Sequence, residues 1–160
     1  MALEVLYLIR HSKAEDSHPR GDRYRQLSAE GVAWLDQLSA DAAQKDFRVE
    51  LVLSSSYLRA VQTRDRLFPA ALNMVRREAG VYAPSGYTDD ALDDLESREA
   101  EGYTRIAVVT HNPFVTLLAE RLLVPGSISD LVFSAPTILA LGFDRGLKPR
   151  EGRPLWMLSR

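Results

Sequence analysis

Two of the three histidines, His11 and His111, each stand one residue beyond an apolar run, and Arg10 stands beside His11. Arg59 comes a few residues after another apolar run that ends at Ser54. An imidazole can attack phosphorus as a neutral nitrogen nucleophile and carry the phosphoryl group as a covalent intermediate. With an ordinary pKa of ~6.5 it is mostly neutral at pH 7, and neighbouring arginines lower its pKa further. A guanidinium is permanently charged and can donate two parallel hydrogen bonds to phosphoryl oxygens. At ~4 Å and an effective dielectric of ~20, each is worth on the order of 4 kcal/mol per unit of negative charge. Only the part that grows in the transition state accelerates the reaction. A second histidine, once protonated by the substrate's negative charge, donates to the transferring oxygens. The set suits phosphoryl transfer through a histidine.

Such residues act together only if the fold collects them. Apolar runs and helical patterns alternate along the chain, which predicts an α/β domain with a largely parallel sheet. Residues 3–9 read as a buried central strand, with further strands at 50–54 and 105–110 and a weaker one at 72–76. Ser28 can cap a helix stapled by Leu27 and Val32, whose face continues through Leu35, Leu38 and Ala42. Ser55 or Ser56 can cap a second helix, carrying Leu58 and Val61 inward until Pro69 stops it. Thr88 can cap a third, with Asp89, Asp90, Asp93 and Asp94 at the positive end of its dipole. Asn112 and Pro113 suit the N-cap and first position of a fourth, with an apolar stripe of Phe114, Leu117, Leu118 and Leu122. Residues 137–143 and 154–158 read as an antiparallel pair at a sheet edge. In an open parallel sheet ligands bind at the carboxyl ends of the strands. Arg10, His11, Arg59 and His111 should converge there, beside helix N-termini whose free N–H groups favour an anion.

Composition removes competing readings. At 160 residues and 17.9 kDa, one domain spanning 1–160 is expected, with a substantial core. The absence of cysteine excludes a disulfide framework, a thiolate zinc site, an iron–sulfur cluster and a cysteine nucleophile. With 20 basic against 22 acidic residues there is no basic excess of the kind a nucleic-acid binder shows. The histidines lack paired ligand spacing, and no glycine-rich nucleotide loop is present, so neither metal nor cofactor is expected. His18 reads as an ordinary loop residue. The N-terminal segment lacks the marks of a signal peptide. The best membrane candidate, 106–124, contains His111, Asn112, Pro113, Glu120 and Arg121. A soluble cytoplasmic protein is expected.

Four segments carry a family resemblance. Leu8-Ile-Arg-His-Ser-Lys13 resembles the Arg-His-Gly signature of the histidine phosphatase superfamily. Ser54-Ser-Ser-Tyr-Leu-Arg-Ala-Val-Gln-Thr63 is similar to its Ser-x-x-x-Arg-Ala-x-Gln-Thr element, and Val109-Thr-His-Asn-Pro113 to its later strand and histidine. Asp22-Arg-Tyr-Arg-Gln-Leu-Ser28, followed by Gly31, resembles a segment of the short SixA-type phosphohistidine phosphatases. The resemblance implies a phosphoglycerate mutase-like fold: α/β, with a mainly parallel central sheet, an antiparallel edge strand and helices on both faces. It implies that His11 is the phosphoacceptor, that Arg10 and Arg59 clamp the phosphoryl group, and that His111 completes the pocket. Arg25 then corresponds to an additional arginine that reaches the phosphate.

Two departures bear on function. Ser12 replaces the usual glycine after the nucleophile and would set a hydroxyl near the phosphate. The carboxylic general acid of the mutase and phosphomonoesterase members has no clear counterpart: Glu78 is the nearest candidate, Asp89 and Asp90 more distant ones. An imidazole leaving group can carry its own proton, so phosphohistidine needs such an acid less than an alkoxide does. The favoured substrate is therefore a phosphohistidine of a phosphotransfer or phosphocarrier protein, in a pocket left open by a short chain. The alternatives are a small-molecule phosphomonoesterase, and a non-catalytic module that binds phosphate or phosphoprotein.

Overall fold

Each apolar run and each helical pattern becomes an element in the computed structural model, which describes residues 1–160. In chain order these are β1 (Val5–Arg10), α1 (Ala29–Ala42), β2 (Leu51–Ser54), α2 (Leu58–Leu67), β3 (Val75–Glu78), α3 (Thr88–Ala100), β4 (Arg105–Thr110), α4 (Phe114–Leu122), β5 (Thr137–Gly142) and β6 (Arg153–Ser159). Single 3-10 turns lie at Asp22–Tyr24 and Gly80–Tyr82. One six-stranded sheet runs β3-β2-β4-β1-β5-β6. β1 to β4 are mutually parallel, and the antiparallel part is the edge formed by β5 and β6. Within that edge β5 is the strand running against the rest, and β6 is outermost.

Successive strand residues face opposite sides, and both sides are covered. Leu6, Leu8, Ile106 and Val108 pack in a core with residues of α3 and α4, including Leu95 and Leu118. Tyr7, Ile9, Ala107 and Val109 pack in a second core with residues of α1 and α2, including Leu35, Leu38 and Ala60. Every residue from Val5 to Ile9 is buried, which is why β1 reads as a continuous apolar run.

Helix starts are where local expectation and packing part company. Ser28 does cap α1, its hydroxyl accepting the Gly31 N–H at 2.9 Å. Gly31 itself is required, because a Cβ there would stand 2.0 Å from the Lys13 carbonyl oxygen. α2 begins two residues later than Ser55 and one later than Ser56 would cap it, with Tyr57 at the cap; the Ser55 hydroxyl instead accepts the Tyr57 N–H at 3.1 Å. Thr88 is the first residue of α3 rather than its cap, which is Tyr87. In α4 Pro113 is the cap, and Asn112 turns its side chain to Phe133 and Thr116 instead. The weak strand expected at 72–76 settles at Val75–Glu78, where it pairs with β2. Leu117 is not part of the apolar face of α4, being 50% exposed. At ~100° per residue it falls on the flank of the face set by Phe114, Val115, Leu118 and Leu122. Residues 106–124 form β4, a turn and α4, and no helix is long and apolar enough to cross a membrane.

Candidate active site

The register of the sheet collects the expected residues. Arg10 pairs with Thr110 at the ends of β1 and β4, and the His11 N–H donates to the Thr110 carbonyl at 3.1 Å. Ser54 ends β2 one step away, and the Ser55 N–H donates to the Val109 carbonyl at 3.1 Å. His11 and His111 therefore leave neighbouring strands at one sheet edge, with ring centroids 5.1 Å apart and planes inclined by 61°. Both are buried, at 9% and 2% exposure.

Hydrogen bonds set the roles of the four ring nitrogens. His11 Nδ1 lies 2.6 Å from the Ser12 carbonyl oxygen, which can only accept, so Nδ1 carries the proton and Nε2 keeps a free lone pair. His111 Nε2 lies 2.8 Å from the Ser55 hydroxyl, and its buried Nδ1 has no partner. Burial, foremost, holds the His11 pKa down to about 4; the charges of Arg59, Arg10 and Arg25 add to this, and the bond to Ser12 opposes it. Burial likewise brings His111 to about 3, with His11 and Arg59 adding. Desolvation outweighs the neighbouring arginine charges in lowering the His11 pKa.

The arginines are held by acceptors on other elements. Arg10 Nη1 donates to the Phe133 carbonyl at 2.7 Å, and its buried Nε has no partner. Arg59, 6% exposed, donates from Nη1 to the Asp22 carbonyl oxygen at 2.9 Å and from Nη2 to the Asp22 carboxylate at 3.2 Å. Arg25 donates from Nη1 to the other Asp22 carboxylate oxygen at 2.9 Å and from Nε to the Glu15 carbonyl at 2.6 Å. The Asp22 carboxylate thus bridges Arg25 and Arg59. Those contacts, led by the bond from Arg25, hold its carboxyl below the ordinary carboxylate range. Tyr57 completes the cluster, its ring 5.3 Å from that of His111 and 5.1 Å from the Arg59 guanidinium.

Thr63 ties two of these residues together. Its hydroxyl accepts the Ser12 N–H at 3.1 Å and donates to the Arg59 carbonyl at 2.8 Å, one turn back in α2.

No family model matches the chain, and no curated protein does. Solved structures do match. The protein histidine phosphatase SixA complexed with tungstate superposes with a TM-score of 0.83 at 23% identity, over 97% of this chain and 96% of that one. A candidate phosphohistidine phosphatase SixA from Agrobacterium tumefaciens gives 0.83 at 21% identity, over 98% of both chains. The fold is that of the histidine phosphatases. A more distant example of this fold, the alpha-ribazole phosphatase from Shigella flexneri, gives 0.64 at 18% identity, over 98% of this chain and 100% of that one. The expected mainly parallel sheet with its antiparallel edge is the sheet observed.

On this histidine phosphatase fold Arg10, His11, Arg59 and His111 lie together, and Arg25 joins them through Asp22. Ser12 does not set its hydroxyl toward the phosphate. It is fully buried, and the hydroxyl donates to the Gly31 carbonyl at 2.6 Å, pinning the end of β1 to the start of α1. Glu78 ends β3, three strand spacings from β1 or ~14 Å, and pairs with Arg64 at 3.5 Å. Asp89 pairs with Arg121 of α4, and Asp90 is exposed on α3. No hydrogen bond or ion pair links Glu78, Asp89 or Asp90 to the histidine pair. Asp22, Ser55 and Thr63 are the site residues that residue-type reasoning passed over. Their only signal was membership in the matched segments, because each bond they make spans 37 or more positions or lies inside a turn.

Proposed function

We propose that this protein is a phosphatase, formed by one domain over residues 1–160, that works through a phosphohistidine on His11. The observation that carries this reading is the bond from His11 Nδ1 to the Ser12 carbonyl, because it leaves Nε2 unprotonated in a buried, arginine-lined setting. Nε2 attacks phosphorus in line with the leaving group; Arg10, Arg59 and Arg25 take up the charge on the equatorial oxygens. Ser55 fixes the His111 ring, whose Nδ1 then donates to a transferring oxygen. Water attacking on the same axis regenerates His11 and releases phosphate. Neither a metal nor a cofactor enters any step.

The favoured substrate is a phosphohistidine carried by a phosphotransfer or phosphocarrier protein in the cytoplasm. The carboxylates near the site and the chemistry of the leaving group support it. The carboxylates considered as general acids are not bonded to the cluster, and two of them are taken up in ion pairs with Arg64 and Arg121. Asp22 is close but held ionised, so it does not supply a proton. An imidazole leaving group carries its own proton and needs no such donor. The higher TM-score to the SixA structures than to the alpha-ribazole phosphatase points the same way.

The test is to incubate the protein, without metal, with a phosphohistidine-bearing protein and with an aryl phosphate, and to look for an acid-labile phosphoenzyme. The wild type should form it, and His11→Ala should lose it together with at least ~10³-fold of the turnover. Phosphate release by His11→Ala at the wild-type rate would sink the mechanism. A preference for the aryl phosphate by orders of magnitude would favour a small-molecule phosphomonoesterase, and binding without turnover a non-catalytic module.

A further inference from the structure

Two of the three arginines at the site are already engaged with an anion belonging to the chain itself. The Asp22 carboxylate gives one oxygen to Arg25 Nη1 at 2.9 Å and the other to Arg59 Nη2 at 3.2 Å. Two oxygens on one central atom, each facing a different guanidinium, is the arrangement a phosphoryl group would present to the same pair. Arg10, by contrast, rests on the neutral Phe133 carbonyl and has no carboxylate partner. The clamp therefore has one arginine with an uncancelled charge and two whose charge is partly cancelled from within.

The position of Asp22 lets it come and go. It sits on the single 3-10 turn Asp22–Tyr24, and its side chain is 58% exposed, whereas that of Arg59 is 7% exposed. Gly21, immediately before it, has φ +110°, which L side chains rarely adopt, and no atom stands within 4 Å of where its Cβ would be, so the turn is entered through open space. The Asp22 carbonyl also accepts from Arg59 at 2.9 Å, so the backbone can keep hold of Arg59 while the carboxylate swings away. Arg25 is held in the same way by the Glu15 carbonyl. Both guanidiniums thus retain a neutral acceptor when the carboxylate leaves.

We propose that Asp22 is a positioning residue that competes with the phosphoryl group for Arg25 and Arg59. In the free protein the carboxylate keeps the two guanidiniums aligned; a phosphoryl group, with up to two negative charges against one, displaces it; and as inorganic phosphate forms, the carboxylate retakes the arginines and drives product out. Weak retention of phosphate is thereby built into the site. This rests on the phosphatase reading above.

The experiment is a calorimetric titration of inorganic phosphate into the wild type, Asp22→Asn and Asp22→Ser, together with steady-state kinetics under added phosphate. Competition predicts that both variants bind phosphate at least ~10-fold more tightly. It also predicts that KM falls and that kcat/KM, measured from the free enzyme in which the carboxylate competes, rises by about the factor gained in phosphate binding, while inhibition by phosphate strengthens by the same factor. If Asp22 only braces the arginines, its removal loosens them; phosphate affinity that is unchanged or weaker overturns the proposal, as does failure of both variants to fold. Phosphate binding is read without turnover, so a protein that forms no phosphoenzyme defeats the phosphatase reading on its own. Unchanged phosphate affinity in variants that still turn over defeats only the role given to Asp22.

Discussion

At the scale of single residues, the site brings together two buried imidazoles and three guanidiniums, of which that of Arg59 is buried. His11 protonates at about 4 rather than near 6.5, mainly because burial penalises the imidazolium. The acid limb of kcat/KM, corrected for ionisation of the substrate, should therefore have its half-point near pH 4, because the free enzyme loses its lone pair only there. A half-point near 6.5 would mean that His11 is solvated, contrary to its 9% exposure. Arg59 contributes geometry as well as charge, since its fork spans the carbonyl and the carboxylate of Asp22. Arg59→Lys keeps the charge but loses the fork, and should lower kcat/KM by about 10²-fold. Equal activity of the lysine variant would show that only charge matters.

At the scale of elements, the site depends on how strand ends are fastened to helix starts. β1 ends at Arg10 and continues into His11 and Ser12, and two bonds anchor Ser12: its hydroxyl to Gly31 of α1 and its N–H to Thr63 of α2. Thr63 is fully buried and also holds the Arg59 carbonyl, so one hydroxyl sets the segment after β1 against the helix that carries the arginine. Thr63→Val keeps the shape and removes both bonds, leaving the Ser12 N–H buried and unpaired. Urea unfolding should register a loss of about 1–3 kcal/mol. Because Arg59 and His11 would then move independently, kcat should fall further than KM rises. A variant with full stability and full kcat would remove Thr63 from this role.

At the scale of the whole molecule, burying two neutral histidines at one sheet edge makes stability depend on pH. Their folded-state pKa values, about 4 and about 3, lie below the ordinary ~6.5, so between these limits the unfolded chain binds more protons than the folded one. Stability is complete above ~6.5 and declines as the pH falls toward 4, by at most ~1.4 kcal/mol per pH unit for each histidine. The carboxylates held low, Asp22, Glu50 and Asp46, the last at about 2, begin to lose their contributions only near their ordinary values of ~4, at the acid end of that window. The melting temperature should drop between pH 7 and pH 5, and His111→Asn should remove roughly half of the drop. An unchanged slope in that variant would assign the pH dependence to other groups. Two cores on the two faces of the sheet keep the edge rigid enough to hold these costs.

What the amino-acid order determined by itself was whatever depends on neighbours along the chain. Alternating apolar runs and helical patterns specify strands, helices and a parallel sheet, because side-chain polarity and its period along the chain are local properties. Arg10, His11, Arg59 and His111 were legible for the same reason: each sits at a strand end or in the segment that follows it, and a parallel sheet lines such ends along one edge. Tertiary structure alone decided what these residues touch. Asp22 meets Arg59 across 37 positions, Ser12 meets Thr63 across 51, and Ser55 meets His111 across 56. Ser12 shows the difference most directly, since a hydroxyl expected at the phosphate is turned to Gly31 by the way α1 packs on the end of β1. The tautomer of His11, the ranking of burial over charge in its pKa, and the carboxylate between two arginines all follow from packing, because solvent exclusion and long-range contacts exist only once the chain has folded.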